Sequence, residues 1–425
     1  MDDRPVWAAR LHEGRRRRLW TQREMARRLV QAAGGDVALP GRESLVRMIK
    51  DWEAGRHRPS DPYRVLYCRV FDMEEADLFG DRQARRERTP AAVLEDLLGQ
   101  AEPLTPQPGR HGRRVGAGTA ADLSARAHAL RLADDVIAGK DLIRPAFREL
   151  DAAVRIYRCG TFTEEVGRSL LVTIGEFAQI AGWVAGDAGA HDQAARTYRL
   201  GIGAAHEAGD HTLESNLLGS LAYQVSNVGD PREGVELARA ALEVAGPHAP
   251  ARARALAWDR LAWAHVRAGE TREAMRALGE AEAALSEHGG EDEPGYLYWV
   301  DINELQLMEA RAYTELHRPL RAVPLLSDVL SRYDATHARE LALYLSWLVV
   351  ALADADEPEE AARAAGRLLD LSADVASDRT ARRTKVVLGR LEPYRDVPQV
   401  RDLLTGHAAV ALFSGRGHAS GRVTN

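Results

Sequence analysis

The chain has 425 residues, is 45% hydrophobic and 28% charged, and carries a formal net charge of −6. At about 100–200 residues per domain that is enough for two to four cored domains. It holds no uninterrupted run of eighteen apolar residues, and its first thirty residues carry arginines in place of a signal-peptide core, so a cytoplasmic protein with no membrane partner is expected. The only cysteines, Cys68 and Cys159, stand far apart and suggest neither a disulfide framework nor a zinc site.

Charge is segregated along the chain. Residues 1–88 hold 20 Lys+Arg against 15 Asp+Glu, a net of +5, which leaves 37 against 48 for the remainder. A basic head on an acidic body suits a nucleic-acid-binding module joined to a part that does not bind nucleic acid. In this head Pro5 to Leu19 reads as a helix with Trp7, Ala8 and Leu11 on one side and the basic run Arg15 to Arg18 near its end. Thr21-Gln22-Arg23-Glu24 has the pattern of a capping box and starts a second helix near Gln22, which runs through Met25, Ala26 and Leu29 to Gly34-Gly35. A third helix over Glu43 to Ala54 places Leu45, Met48, Ile49 and Trp52 on a shared face and Arg47, Lys50 and Asp51 away from it. After Gly55 and the turn Arg56-His57-Arg58-Pro59, a fourth helix offers Leu66, Tyr67, Val70 and Phe71 to close a small core.

Thr21 to Ala26 and Ile49 to Ser60 resemble the Xre/Cro phage-repressor class of helix-turn-helix regulators, over about residues 5–80. The resemblance implies a DNA-binding domain at 1–80, with double-stranded DNA as partner, Glu43 to Trp52 as the helix that enters the major groove, and a homodimer that places two heads on a palindrome. The chain departs from the class by inserting about a dozen residues, Gln31 to Arg42, between the paired helices. Chemically, Gln22 at a helix amino terminus, with Arg23 beside it, can meet a phosphate. Arg47 suits bidentate contact with guanine O6 and N7, and Lys50 is a second base-reading candidate. Arg56 and Arg58 suit the phosphate backbone, where they would add salt-dependent affinity.

Residues 81–121 are rich in Arg, Pro and Gly and read as a flexible linker, with only Pro90 to Leu98 as a short helix. From Leu123 onward the chain is almost continuous helix signal, so the fold class is all-α. Residues 122–164 read as a helical lead-in, 165–391 as repeats, and 392–425 as a last helix and a disordered tail. Self-alignment pairs Gly189 with Ala194, Gly229 with Gly234, Gly269 with Ala274, His317 with Ala322 and Asp356 with Ala361. The offset of five is constant and the steps of 40, 40, 48 and 39 residues fall in the range of helical-pair solenoids. The sharpest copy, Trp258, Leu261, Ala262, His265, Gly269, Ala274, Leu278 and Ala281, closely resembles the tetratricopeptide consensus, and five or six such repeats are expected.

A solenoid of this kind lines its concave side with the first helix of each pair. In the second copy Asn216, Ser220, Tyr223 and Asn227 fall on one polar stripe, and asparagine amides can grip a peptide backbone. Equivalent slots hold Glu176, Gln179, Trp183 and Asp187, then Asp259, Trp263 and Arg267, then Arg311. These form a candidate groove for a peptide or small-molecule ligand. His206-Glu207 with His211 does not make a metalloprotease motif, because histidines five apart lie about 140° apart around a helix. No Walker loop, dinucleotide fingerprint or Gly-x-Ser-x-Gly elbow occurs. The expectation is therefore a non-enzymatic protein with no metal and no cofactor. Head and repeats together are similar to peptide-responsive regulators of bacteria, with an interaction adaptor that recruits a protein partner as the alternative.

Overall fold

The computed structural model describes residues 5–18, 20–34, 39–71, 73, 75–79, 88–101, 103–106, 113–136, 139–287, 293–332, 338–373 and 378–406. It is all-α: apart from one isolated parallel bridge, the regular structure among these residues is helical. The chain divides into two compact units, residues 1–88 and 89–425.

The amino-terminal unit contains α1 (Val6–Arg17), α2 (Gln22–Ala33), α3 (Arg42–Glu53), α4 (Tyr63–Phe71) and α5 (Glu75–Phe79). Its core gathers Leu11, Met25, Leu29, Leu45, Ile49, Trp52, Tyr67 and Phe71, residues that recur at helical spacing on the inner faces. The Thr21 hydroxyl accepts from the Glu24 backbone N–H at 3.1 Å and starts α2. The second half of the expected capping box is replaced: the Glu24 carboxylate accepts from Arg27 at 2.7 Å and from Arg28 at 3.1 Å. Those two guanidiniums hold it below the usual carboxylate range.

One charged pair lies inside this core. Arg15 of α1 donates through Nε and Nη2 to both carboxylate oxygens of Glu53 at the end of α3, at 2.6 and 2.7 Å, and both residues are buried. Two parallel charge-assisted bonds of this kind fix the angle between the groups as well as their distance.

The second unit begins with α6 (Pro90–Gln100), α7 (Ala117–Val136) and α8 (Gly139–Cys159). Here the flexible-linker expectation for 81–121 is corrected wherever the chain is described. Thr89 caps α6, and Val93 and Leu97 are buried in the same core as Tyr198, Leu217 and Leu237. Leu104 and Val115 join the core beneath α7 and α8. The backbone of 113–115 is pinned to Thr161, which accepts from the Val115 N–H at 2.9 Å and donates to the Arg113 carbonyl at 3.1 Å. The physical reason is spacing. Four aliphatic side chains suffice to anchor a Pro- and Gly-rich segment, since burying each stabilises by about 1.5–3 kcal/mol, and composition alone conceals them.

Five helix pairs follow: α9 (Glu164–Asp187) with α10 (His191–Ala208), α11 (His211–Val228) with α12 (Pro231–Ala245), α13 (Ala251–Ala268) with α14 (Thr271–Ser286), α15 (Ile302–Glu315) with α16 (Pro319–Arg332), and α17 (Ala338–Asp354) with α18 (Pro358–Ala373). The helices of each pair pack together, and the first helices of successive pairs pack on one another in chain order. α19 (Asp378–Leu391) then packs on α17 and α18, and 398–406 is again helical. α9 alone among the described helices has the length and apolarity of a membrane-crossing segment, and 67% of its most apolar window is buried inside the unit.

The recurrent positions 189, 229, 269, 317 and 356 are the turns within these pairs. Gly189, Gly269, His317 and Asp356 take left-handed φ values of 84°, 76°, 52° and 61°, while Gly229 solves the same turn at φ −122°. Five residues on, Ala194, Gly234, Ala274, Ala322 and Ala361 are all buried, because there the second helix meets the first. At Gly234 an added Cβ would lie 3.2 Å from the Ala222 carbonyl oxygen. Gly269→Ala is expected to lower stability by about 1–2 kcal/mol, the cost of a left-handed Cβ, read as a drop in thermal midpoint. An unchanged midpoint would show that the turn relaxes.

The expected tail at 407–425 and part of the Gln31 to Arg42 insertion lie outside the described residues.

Candidate ligand pocket and nucleic-acid face

In the amino-terminal unit the candidate DNA-contacting residues separate into two groups. Arg47 and Lys50 project from α3, are exposed, and form no ion pair among the described residues, while Leu45, Ile49 and Trp52 on the other side of the same helix are buried. Arg23 is exposed on the first turn of α2. The others have work inside the unit. Gln22 donates its side-chain amide to the buried Glu53 carboxylate at 3.1 Å, so the amide expected to meet a phosphate is turned inward. Arg58 donates to the Phe79 carbonyl oxygen, and Arg56 pairs with Asp51 at 2.9 Å. Gln22 and Arg58 are thus holders of the fold before anything else, because a buried carboxylate and a helix-end carbonyl need donors.

In the second unit the first helices of the pairs, together with α10 and α19, line a pocket of about 390 Å³. Its aromatic wall is a ladder. Trp183 of α9 stacks on Tyr223 of α11 with ring centroids 5.7 Å apart, and Tyr223 lies 5.9 Å from Trp263 of α13. Trp263 then meets Trp347 of α17 edge to face at 5.8 Å. Trp183, Tyr223 and Trp263 each sit six residues before the turn of their pair, so one repeat slot supplies three successive rungs. Arg311 occupies that slot in the fourth pair. It is buried behind the rings, donates to the Tyr223 hydroxyl at 2.7 Å, and lies 4.7 Å from the centroid of Trp263 and 5.4 Å from that of Trp347.

Polar groups are fixed around this ladder. Asn227 accepts from the Trp263 indole N–H at 3.2 Å and donates to the Tyr223 carbonyl at 2.7 Å, so it orients a ring. Gln224 donates to the His191 carbonyl at 2.6 Å. Arg267 pairs with Glu315 at 2.6 Å. On the far side Arg383 lies over Trp347, its guanidinium carbon 3.6 Å from the ring centroid, and donates through Nε to the Ser346 hydroxyl at 2.9 Å. Arg382 reaches His191 Nε2 at 3.1 Å, joining α19 to the start of α10.

Of the groove residues expected from the sequence, Trp183, Tyr223, Asn227, Trp263 and Arg267 line this pocket, as do Asp187 and Ser220. Asp259 and Arg311 are buried beneath it. Burial pushes the Asp259 carboxyl up, against the pull of Arg260 and Arg311. Asn216 lines a separate small cleft beside Arg260, and Gln179 lines neither. Trp347, Arg382 and Arg383 were not anticipated. Trp347 stands nine residues before its turn, outside the slot that carries the other rungs, and α19 follows the last repeat.

His206 and His211 both approach buried Glu214, at 2.9 and 3.3 Å, and so bracket the α10–α11 turn. Among the described residues no group of three or more His, Cys, Asp or Glu is arranged to hold a metal ion. Compared with family models, curated proteins and solved structures, the chain finds no significant match.

Proposed function

We propose that the chain is a cytoplasmic, sequence-specific transcriptional regulator: a helix-turn-helix head of the Xre/Cro type on double-stranded DNA, joined to tetratricopeptide-like pairs whose pocket senses a small ligand. The observation that carries the reading is the division of α3. Its inner face is committed to the core, while Arg47 and Lys50 stand exposed on a unit that is net basic within an acidic chain. An unengaged planar guanidinium on an exposed helix is the group that reads guanine edges, and net positive charge supplies the phosphate attraction. The aromatic pocket supports the sensing half, since a concave apolar site with a few fixed polar groups is how small ligands are held. Two copies of so small a head on a palindrome would supply the affinity one lacks, so a homodimer belongs to the proposal.

The test is selection of genomic DNA fragments on the full-length protein at near-physiological salt. One enriched motif, particularly an inverted repeat, supports the regulator. Absence of enrichment, with only the steep salt slope of non-specific binding, would favour an adaptor that recruits a protein partner through its repeats. On an enriched site Arg47→Ala is expected to cost about 1–3 kcal/mol and to relax one base position. An equal loss on every sequence would instead place Arg47 on the phosphate backbone.

A further inference from the structure

We infer that the pocket takes a small planar organic anion, an aromatic or conjugated acid whose ring lies among Trp183, Trp263 and Trp347 and whose acid group faces Arg382 and Arg383. The inference deepens the sensing half of the proposed function and rests on it.

Size sets the first bound. A pocket of about 390 Å³ is at the lower end of the range of about 300–1,000 Å³ that holds drug-sized molecules, and it suits one or two fused rings better than a peptide running along several repeats. The wall sets the second. The rungs are flat and held at stacking distance by Asn227 and Arg311, so the ligand body that buries most area against them is itself flat.

Charge decides the rest. Aromatic pockets often hold ammonium ions through their ring faces, but here those faces already carry cations. Arg383 lies 3.6 Å from the Trp347 centroid, Arg311 4.7 Å from that of Trp263, and Arg260 4.8 Å from that of Tyr223. An ammonium ligand would meet like charge at three of the four rungs. Among the described residues, Arg267, Arg382 and Arg383 line the pocket together with Asp187 and Glu315, while Arg260 and Arg311 lie against its rings, with Asp259 beside Arg260. The Arg267 and Glu315 charges pair with each other at 2.6 Å. Arg382 and Arg383 supply positive charge on the α19 side of the pocket, where Ser346 already orients Arg383. A guanidinium already held over a ring by a side-chain hydrogen bond has less conformational freedom to lose when it meets a carboxylate or a similar oxyanion.

Isothermal titration calorimetry on the full-length protein tests this with four probes: 2-naphthoate, 2-naphthamide, 2-naphthylmethylammonium and cyclohexanecarboxylate. The expected result is saturable one-site binding of 2-naphthoate, at least about tenfold tighter than each of the others, in the way that paired charge and shape discriminate. Arg382→Ala, at an exposed side chain, and Arg383→Ala should each weaken it at least about tenfold, with Arg383→Lys between wild type and Arg383→Ala because it keeps charge but not the planar stack. Circular dichroism melts establish that the variants fold. The inference is overturned if the amide or the ammonium binds as tightly as the carboxylate. It is equally overturned if folded protein shows no saturable 2-naphthoate binding at millimolar concentration, or if neither alanine variant changes it. DNA retention measured with and without 2-naphthoate separates the two proposals. Anion binding with no effect on DNA leaves the ligand class standing and removes its coupling to regulation, whereas operator selection without anion binding does the reverse.

Discussion

Glu53→Ala is expected to cost the amino-terminal unit about 3–5 kcal/mol, because removing one member of a buried ion pair strands the other. Arg15 would remain buried with Nε and Nη2 facing the space left by the carboxylate. Gln22 and His12, at 3.1 and 3.4 Å from the same carboxylate, would lose their partner too. Against a typical domain stability of about 5–15 kcal/mol, the loss is large enough for residues 5–79 to populate unfolded forms. Hydrogen exchange read by mass spectrometry should show protection falling across α1 to α4 while the helix pairs of the second unit keep theirs. Replacing both partners, Arg15→Met with Glu53→Leu, should recover much of the loss, since an apolar pair of similar volume needs no compensation. Normal protection in Glu53→Ala would mean that water enters and solvates Arg15, and the pair would then be ornament to the core.

Arg311→Ala should lower the stability of the second unit by about 2–5 kcal/mol, the range for truncating a long buried side chain. Two further effects act in the same direction. The Tyr223 hydroxyl loses the donor that meets it at 2.7 Å, and the Trp263 and Trp347 rings lose the cation lying against both. A desolvated cation–π contact contributes up to about 2 kcal/mol. Arg311→Met separates packing from charge. It refills most of the volume, so its melting temperature should return towards that of the parent, while its preference for 2-naphthoate over 2-naphthamide should stay reduced. If the methionine variant discriminates as well as the parent, the selectivity resides in α19 alone.

The repeat period was legible because it is written in small residues that geometry cannot replace. The turn at 189, 229, 269, 317 and 356 demands a tight reversal, and the residue five further on must let two helices meet. Histidine and aspartate at 317 and 356 did not hide the pattern, since the spacing persisted where glycine did not. The ladder slot followed from the same register, which is why Trp183, Tyr223, Trp263 and Arg311 could be named together. Facing direction was harder to read. A helical stripe tells which residues share a side, but not how deep the neighbouring pair covers that side, so Asp259 and Arg311 share the stripe of the groove residues yet lie under the groove. Gln22 misled for another reason. Its position at a helix start matches an anion site, yet the carboxylate it serves is Glu53, thirty-one residues away, and nothing local in the sequence marks that pairing. Residues 81–121 gave the opposite lesson, for their proline and glycine outweighed Val93, Leu97, Leu104 and Val115 in any window average, although those four decide where the chain goes.

A stack of repeats in which each touches only its neighbours behaves as a line, and a line frays from its ends. The second unit departs from that topology at the pocket. Arg382 of α19 bonds to His191, 191 residues earlier in the chain, and Trp347 of the fifth pair meets Trp263 of the third. The late helices are thereby tied back to the early ones, and the line becomes a closed circuit. Opening α19 then breaks a contact with the first pair, and opening the fifth pair breaks one with the third, so the unit should melt in one step where an open array would unzip. An occupant of the pocket would sit on that closure and tighten both ends of the circuit at once.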